Sequence, residues 1–257
     1  MPRIVFFITL LFITVNNSMA SDLAREKRLH DEIVDSIMDG DPVLLKANNH
    51  SFLSIHMEST TEEPNGGVII LHGRGLHPNW ETVVQPLRIA LPEYGWDTLS
   101  LQMPVLPKDT KYYDYVPIFP EAAPRIDAAI QYLKQKGLKN IILIAHSCGA
   151  HMAMHWLEEK SDKQLTAYVG IGTGATDYKQ PMLRSFPYAK MTIPILDIYG
   201  SEDYKAVINL APQRLKLITK AGHPQSKQQM IPAADHYYAK GNKEMIKAIS
   251  DWLNNLK

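Results

Sequence analysis

One segment constrains the fold of this chain more than any other: an apolar run at residues 141–145 that passes through Ser147 into a helix-compatible stretch at residues 149–159. A continuous apolar run bounded by small residues is typical of a strand buried on both faces. Ala145 and Gly149 are small enough for the backbone to turn sharply and leave the Ser147 hydroxyl exposed at the carboxyl edge of a sheet. The usual residue at the position of Ala145 is glycine, and alanine still permits the packing. The segment predicts a strand, a nucleophile turn and a helix.

The rest of the chain alternates between strand and helix patterns, which predicts an α/β fold with a mostly parallel sheet flanked by helices. We expect one domain, residues 21–257, that begins with a helical extension at about residues 21–40. The predicted strands are residues 51–57, 68–71, 96–103, 140–145, 165–171, 193–199 and 228–232, and the predicted helices are residues 23–38, 80–91, 122–136, 149–159, 212–221 and 243–256.

The composition narrows the class of protein. The 257 residues are 45% hydrophobic and include 27 basic side chains, 27 acidic side chains and one cysteine. A disulfide-rich scaffold needs more cysteines, and a disordered chain needs fewer apolar residues. A protein that binds nucleic acid mainly through charge needs a basic excess, which this chain lacks. We therefore expect a globular protein without a nucleic-acid partner, and the oligomeric state stays open.

The first twenty residues have the pattern of a secretory signal peptide. Residues 1–3 form a short basic start, residues 4–15 are apolar, and residues 18–20 read small-x-small, as a signal peptidase site does. The apolar run is shorter than the roughly 20 residues that span a bilayer. We expect cleavage after Ala20, export to a bacterial periplasm or medium, and no stable membrane insertion afterwards. The alternative is an uncleaved membrane anchor.

Two residues later in the chain complete a possible catalytic set with Ser147. Asp203 lies just beyond the end of a predicted strand, and His236 lies between the last predicted strand and the last helix. Serine is a poor nucleophile unless a histidine takes its proton and an acid holds the imidazole in place. The order Ser, Asp, His is the order of the α/β-hydrolase arrangement. The competing residues are Asp197 and Glu202 for the acid and His223 for the base.

On these three motifs the chain, from about Gly66 to its C-terminus, resembles the α/β-hydrolase superfamily and is most similar to an exported bacterial branch of mostly unknown substrate. The resemblance implies that the turn at His72 and Gly73, directly after a buried strand, forms part of an oxyanion hole. The backbone N–H groups of Arg74 and Cys148 would then stabilise the oxyanion.

The expected activity is hydrolysis of a carboxylic ester, small or polymeric, through an acyl-enzyme. A catalytically silent protein that binds a ligand or partner in the same cleft is the alternative, as is a peptidase or thioesterase. We expect the Arg74 side chain to reach the pocket mouth and favour anionic substrates. The residues predicted to contact substrate are His72, Gly73, Arg74, His146, Tyr112 and Tyr113.

Two long connections, residues 104–120 and 173–192, are rich in aromatic residues that either anchor surface loops or line a pocket. The second connection is too short for a large cap domain, so we expect an open site that the first loop partly covers.

His151 and His155 have the spacing of two metal ligands on a helix, but no third ligand is evident. Cys148 is interpreted as a small buried residue and not as a thiol nucleophile. No phosphate-binding or dinucleotide-binding motif is present, and we expect neither a cofactor nor a metal.

Overall fold

The protein was analysed as a computed structural model that describes residues 20–256, and an eight-stranded sheet lies at its centre. The strands are β1 (Asp41–Ala47), β2 (His50–Met57), β3 (Gly66–Leu71), β4 (Trp96–Leu101), β5 (Ile141–His146), β6 (Ala167–Ile171), β7 (Ile195–Glu202) and β8 (Lys227–Asp235). Their order in the sheet is β1-β2-β4-β3-β5-β6-β7-β8. The pairs β1–β2 and β2–β4 are antiparallel and all other pairs are parallel. This is the mostly parallel sheet that the sequence predicts.

Helices cover both faces of the sheet. They are α1 (Leu23–Ser36), α2 (Val84–Ala90), α3 (Tyr112–Tyr115), α4 (Ala123–Gln135), α5 (Cys148–Lys160), α6 (Lys205–Ala221) and α7 (Asn242–Asn254). Successive side chains of a strand point to opposite faces. In β3, Ile69 and Leu71 belong to the core shared with α4 and α5, whereas Val68 and Ile70 belong to the core shared with α2 and α7. Burial on both faces explains why the central strands are continuous apolar runs.

The N-terminal region contains a strand that the sequence analysis missed. The predicted helix 23–38 is present as α1, but β1 follows it directly and pairs with β2. Pro42 lies within β1. Because β1 is an edge strand, only one of its sides pairs with a neighbour, and proline is tolerated in such strands.

Two helices differ in extent from their predictions. The helix predicted at residues 80–91 is reduced to α2 and a 3-10 turn, Leu91–Tyr94, which ends at Gly95 with a φ of 85°. The helix predicted to begin at Pro212 begins instead at Lys205, so the proline lies inside α6. Arg214 donates a hydrogen bond of 2.9 Å to the carbonyl of Val207, which ties the two halves of α6 together around the proline.

The two aromatic connections are ordered by short helical turns. The first contains α3 and the 3-10 helix Val116–Ala122, and the second contains the 3-10 helix Pro187–Lys190. Tyr115 and Tyr188 are buried, and the Tyr115 hydroxyl accepts a hydrogen bond of 2.9 Å from the N–H of Leu106. Most of these aromatic side chains therefore anchor their loops. The chain between β6 and β7 adds no cap domain within the described residues.

The predicted signal peptide, residues 1–20, lies almost entirely outside the described residues. Within residues 20–256, no helix has both the length and the apolar character needed to cross a membrane.

Candidate active site

The turn between β5 and α5 presents Ser147 at the carboxyl edge of the sheet. Ser147 has a φ of 55° and a ψ of −117°, a conformation that L-residues rarely adopt. Its N–H donates a hydrogen bond of 2.9 Å to the carbonyl of Ile171 at the end of β6, which helps to hold the turn. A Cβ atom at Gly149 would lie 2.5 Å from the carbonyl oxygen of His72, so only glycine fits there. Glycine is thus required at position 149 because the start of α5 lies so close to the turn after β3.

Ser147, His236 and Asp203 form a continuous hydrogen-bonded set. The Oγ of Ser147 lies 2.8 Å from Nε2 of His236, and Nδ1 of His236 lies 2.6 Å from Oδ1 of Asp203. All three residues are at most 9% exposed. This is the geometry in which a histidine takes a proton from serine while the acid fixes the imidazole tautomer.

The turn after β3 lies against the serine. A Cβ atom at Gly73 would approach the Cβ of Ser147 and the Nδ1 of His146 to 3.2 Å each. His72 holds this turn from behind: its Nδ1–H donates to the Gly73 carbonyl at 2.7 Å, and its Nε2 accepts from the N–H of Met103 at 2.9 Å. Burial lowers the pKa of His72 to about 3, so its ring is neutral, as this pair of hydrogen bonds requires.

A small pocket opens beside Ser147, with about 30 Å³ of free space. That volume holds roughly one or two water molecules. The residues that line it come from the six chain segments that follow β3, β4, β5, β6, β7 and β8: Gly73, Arg74, Leu76, Tyr112, Ser147, Cys148, Ala175, Thr176, Tyr204, His236 and Tyr237. Both residues predicted to supply oxyanion donors, Arg74 and Cys148, are among them.

Sequence comparison identifies the family of the chain. The sequence pattern of the family described as "Protein of unknown function (DUF3530)" matches residues 19–115 and 120–255. The chain belongs to this family. No curated protein matches the chain in sequence.

The fold is that of an α/β hydrolase, as similar solved structures show. Est1E from Butyrivibrio proteoclasticus has a TM-score of 0.65 and 15% identity, over 84% of this chain and 98% of that one. A putative α/β hydrolase from Agrobacterium tumefaciens has a TM-score of 0.63 and 18% identity, over 83% and 95% of the two chains. An α/β serine hydrolase "without lid" from Xanthomonas campestris has a TM-score of 0.59 and 13% identity, over 85% and 95%. The predicted fold class is therefore confirmed for this DUF3530 chain.

Arg74 differs from its prediction, because its guanidinium is not free. It forms a two-pronged ion pair with Asp177, in which Nη2 lies 3.2 Å from Oδ1 and Nη1 contacts Oδ2. Asp177 also accepts a hydrogen bond of 2.7 Å from the N–H of Tyr112. Partial burial opposes ionisation of Asp177, but the hydrogen bonds from Arg74 and Tyr112 outweigh it and lower the pKa of the carboxyl. The ion pair thus joins the turn after β3 to both aromatic connections.

Three residues predicted to contact substrate do not line the pocket. His72 is buried behind the turn, as described above. His146 is buried behind His236, and its Nε2–H donates to the carbonyl of His236 at 2.9 Å. Burial and the neighbouring His236 lower the pKa of His146 to about 3, so it stays neutral. Tyr113 is 38% exposed and does not line the pocket, whereas Tyr112 and Gly73 do.

The competing acid and base candidates lie elsewhere. Asp197 is fully buried and forms two hydrogen bonds of 2.9 Å with Nε of Arg214, which makes it a structural residue. Glu202 is exposed at the end of β7. His223 follows the far end of α6, the helix whose first turn begins next to Asp203.

Cys148, His151 and His155 have structural contacts of their own. Burial raises the pKa of the Cys148 thiol to about 12, which keeps it protonated and inert. His151 donates a hydrogen bond of 3.0 Å to the carbonyl of Ala175 and stacks on Phe119, while His155 lies beside Glu159. Within residues 20–256, no group of three or more metal-binding side chains is present.

Asp177, Tyr204 and Tyr237 are among the residues at the site that sequence reasoning missed. The Tyr204 ring stacks on His236, and its hydroxyl donates to that of Tyr237 at 3.1 Å. Both tyrosines directly follow a member of the hydrogen-bonded set in the chain, and this adjacency is the signal that would have identified them. Asp177 carried no such signal, since only the folding of residues 173–192 brings it to Arg74.

Proposed function

We propose that the protein is an exported serine hydrolase that cleaves carboxylic esters through an acyl-enzyme. The observation that carries this proposal is the 2.8 Å contact between Ser147 Oγ and His236 Nε2, in a set completed by Asp203. The fold is consistent with this activity but hosts other functions as well. The site chemistry therefore supports the function, and the likeness to solved structures supports only the scaffold.

In the proposed reaction, Oγ of Ser147 attacks the ester carbonyl while Nε2 of His236 takes its proton. The tetrahedral intermediate carries an oxyanion, which the backbone N–H groups of Arg74 and Cys148 would stabilise in this proposal, each contributing roughly 3 kcal/mol. His236 then protonates the leaving alcohol, and the acyl group stays on Ser147. Water attacks this acyl-enzyme with His236 again acting as base, which releases the acid and restores the serine.

The small pocket limits the substrate. The free volume of about 30 Å³ next to Ser147 is too small to enclose a long acyl chain. A short acyl group, or a flat one that lies against Tyr204 and Tyr237, fits the pocket beside Ser147 better than a long chain does. The rest of a small or polymeric ester would then lie in solvent. Est1E has also been solved with ferulic acid bound, at a TM-score of 0.64 and 16% identity to this chain, which makes aromatic acyl esters a useful probe.

Export is proposed from the pattern of residues 1–20 and from the single cysteine, which leaves the fold independent of disulfides. The protein would act in a bacterial periplasm or outside the cell.

A fluorophosphonate probe tests the proposal directly. We expect it to label the exported protein and to fail on Ser147→Ala and His236→Ala variants that remain folded. Esters of increasing acyl length, an aromatic acyl ester, and matched thioesters and amides then define the reaction. A folded wild type that resists labelling and hydrolyses none of them would support a silent binding protein instead.

A further inference from the structure

The backbone nitrogen of Ser21 lies against a carboxylate from a distant part of the chain. It is 3.3 Å from both Oε1 and Oε2 of Glu121, and Ser21 is only 8% exposed. The next residue, Asp22, donates its N–H to the carbonyl of Val105 at 2.7 Å. Ser21 and Asp22 are thus held in a defined place just before α1.

The predicted signal peptidase site ends at Ala20, so cleavage there creates a new N-terminus at this same nitrogen. Water adds across the Ala20–Ser21 peptide bond, which leaves a carboxylate on Ala20 and an amine on Ser21 that takes a proton. We propose that Glu121 is the binding site for the α-ammonium group of the processed chain. The inference rests on the proposed export and is independent of the catalytic activity.

The geometry suits an ammonium better than an amide. In the uncleaved chain a single N–H is shared between two oxygens at 3.3 Å, which is longer than the 2.9–3.0 Å of most N–H···O hydrogen bonds. An ammonium brings three donors and a positive charge, and charge-assisted hydrogen bonds are shorter and stronger. Cleavage therefore converts a weak contact into an ion pair.

The neighbouring charges leave Glu121 available for this role. Arg125 and His50 line the cavity next to Ser21, but Arg125 is held by Glu26, with two contacts of 2.9 and 3.0 Å, and His50 also lies near Glu26. Among residues 20–256, no lysine, arginine or histidine side chain forms an ion pair with Glu121. Asp22, the acidic residue next to Ser21 in the chain, is already engaged: it caps α1 by accepting a hydrogen bond of 2.9 Å from the N–H of Arg25.

The contact also anchors a helix that touches the active-site turn. Arg25, in the first turn of α1, donates to the carbonyl of Gly75 at 2.8 Å and contacts the carbonyl of Leu106. Gly75 follows Arg74 directly. An ion pair at Ser21 would therefore fix the start of α1 and, through Arg25, support the turn that contributes to the site.

The test compares exported proteins that differ only at the N-terminus or at Glu121. The chain is expressed with its own leader, and the mass of each purified protein gives its N-terminus. The variants are the native sequence, an insertion of two glycines between Ala20 and Ser21, Glu121→Gln, and the combination of the two changes. Glu93→Gln, at an exposed acid in the turn Leu91–Tyr94, is the control for the loss of one negative charge. The readout is the midpoint of thermal unfolding from pH 6 to pH 10.

We expect the glycine insertion and Glu121→Gln each to lower the midpoint by about 2 to 4 °C at pH 6, with no further loss in the combination and no change for Glu93→Gln. An α-amine ordinarily titrates near pH 8. The ion pair favours the protonated amine in the folded state. The difference in unfolding midpoint between the native sequence and each variant is therefore complete below about pH 8, and it disappears as the pH rises further.

A mass that places the N-terminus elsewhere overturns both the cleavage and the ammonium site. A free Ser21 whose stability equals that of the glycine insertion overturns the ammonium site alone. Losses that add in the combined variant also overturn it, because two independent effects would then be at work.

Discussion

The ring of Tyr204 stacks on the imidazole of His236, with centroids 4.1 Å apart and planes 19° from parallel. The backbone N–H of Tyr204 also donates to Oδ1 of Asp203 at 2.7 Å. One residue therefore contacts two of the three members of the proposed triad. The face of an aromatic ring attracts cations, so in the proposed reaction this ring would stabilise the imidazolium that forms when His236 takes the Ser147 proton.

Removal of the Tyr204 ring is expected to weaken catalysis. The stabilisation is about 0.5 to 2 kcal/mol, so Tyr204→Leu should lose about 2- to 30-fold in kcat/KM for an ester substrate. Tyr204→Phe keeps the ring and should stay near wild type.

The other groups that face His236 are Asp203, Ser147, His146 and Tyr237. Both Tyr204 variants remove the hydroxyl that donates to Tyr237, so only the ring distinguishes them. Equal activity of Tyr204→Leu and Tyr204→Phe would contradict a role of the ring in catalysis.

The ion pair between Arg74 and Asp177 is expected to limit the use of acidic substrates. In Asp177→Asn the guanidinium loses its charged partner and becomes available to a carboxylate on the substrate. For a partly exposed pair the effect is small, and we expect a gain of about 1.5- to 5-fold in kcat/KM for an ester that carries a carboxylate, relative to a neutral ester.

Adding Arg74→Gln to Asp177→Asn should abolish this gain, while the backbone N–H of residue 74 remains in place as the proposed oxyanion donor. An equal gain for acidic and neutral esters would mean that Asp177 controls access to the pocket and not charge selection.

Buried neutral histidines are expected to destabilise the protein in mild acid. Burial lowers the pKa of His72 and His146 to about 3 and that of His151 to about 4, against an ordinary value near 6.5. Below pH 6.5 the unfolded chain binds protons at these sites and the folded chain does not. The free energy of unfolding therefore decreases as the pH is lowered. At pH 5 each contributes a loss of about 2 kcal/mol.

Urea unfolding between pH 7 and pH 5 measures this slope. His151→Gln keeps a hydrogen-bond donor toward Ala175 and should reduce the slope by about one proton. His223→Gln, in the partly exposed turn after α6, is the matched control for the removal of one histidine. Identical slopes for the two variants would contradict the prediction.

The sequence predicted the scaffold because local rules decide it. The apolar runs of β3 and β5 read as strands buried on both faces, and both are central strands of the sheet. The small residues around Ser147 indicated a sharp turn, and the φ of 55° at Ser147 agrees with one. The predictions failed where tertiary context overrides local preference. Pro212 was interpreted as a helix start, but the contact of Arg214 with Val207 holds a helix on both sides of it.

The sequence by itself determined the order and type of the central elements and the three residues Ser147, Asp203 and His236 as candidates, since each follows a strand and parallel strands end at one edge of the sheet. Only the tertiary structure decided which side chains meet around them. The partnership of Arg74 with Asp177, the stacking of Tyr204 on His236 and the burial of His72 and His146 depend on how separate loops pack against each other. Such contacts join residues far apart in the chain, and no local pattern in hydrophobicity or spacing encodes them.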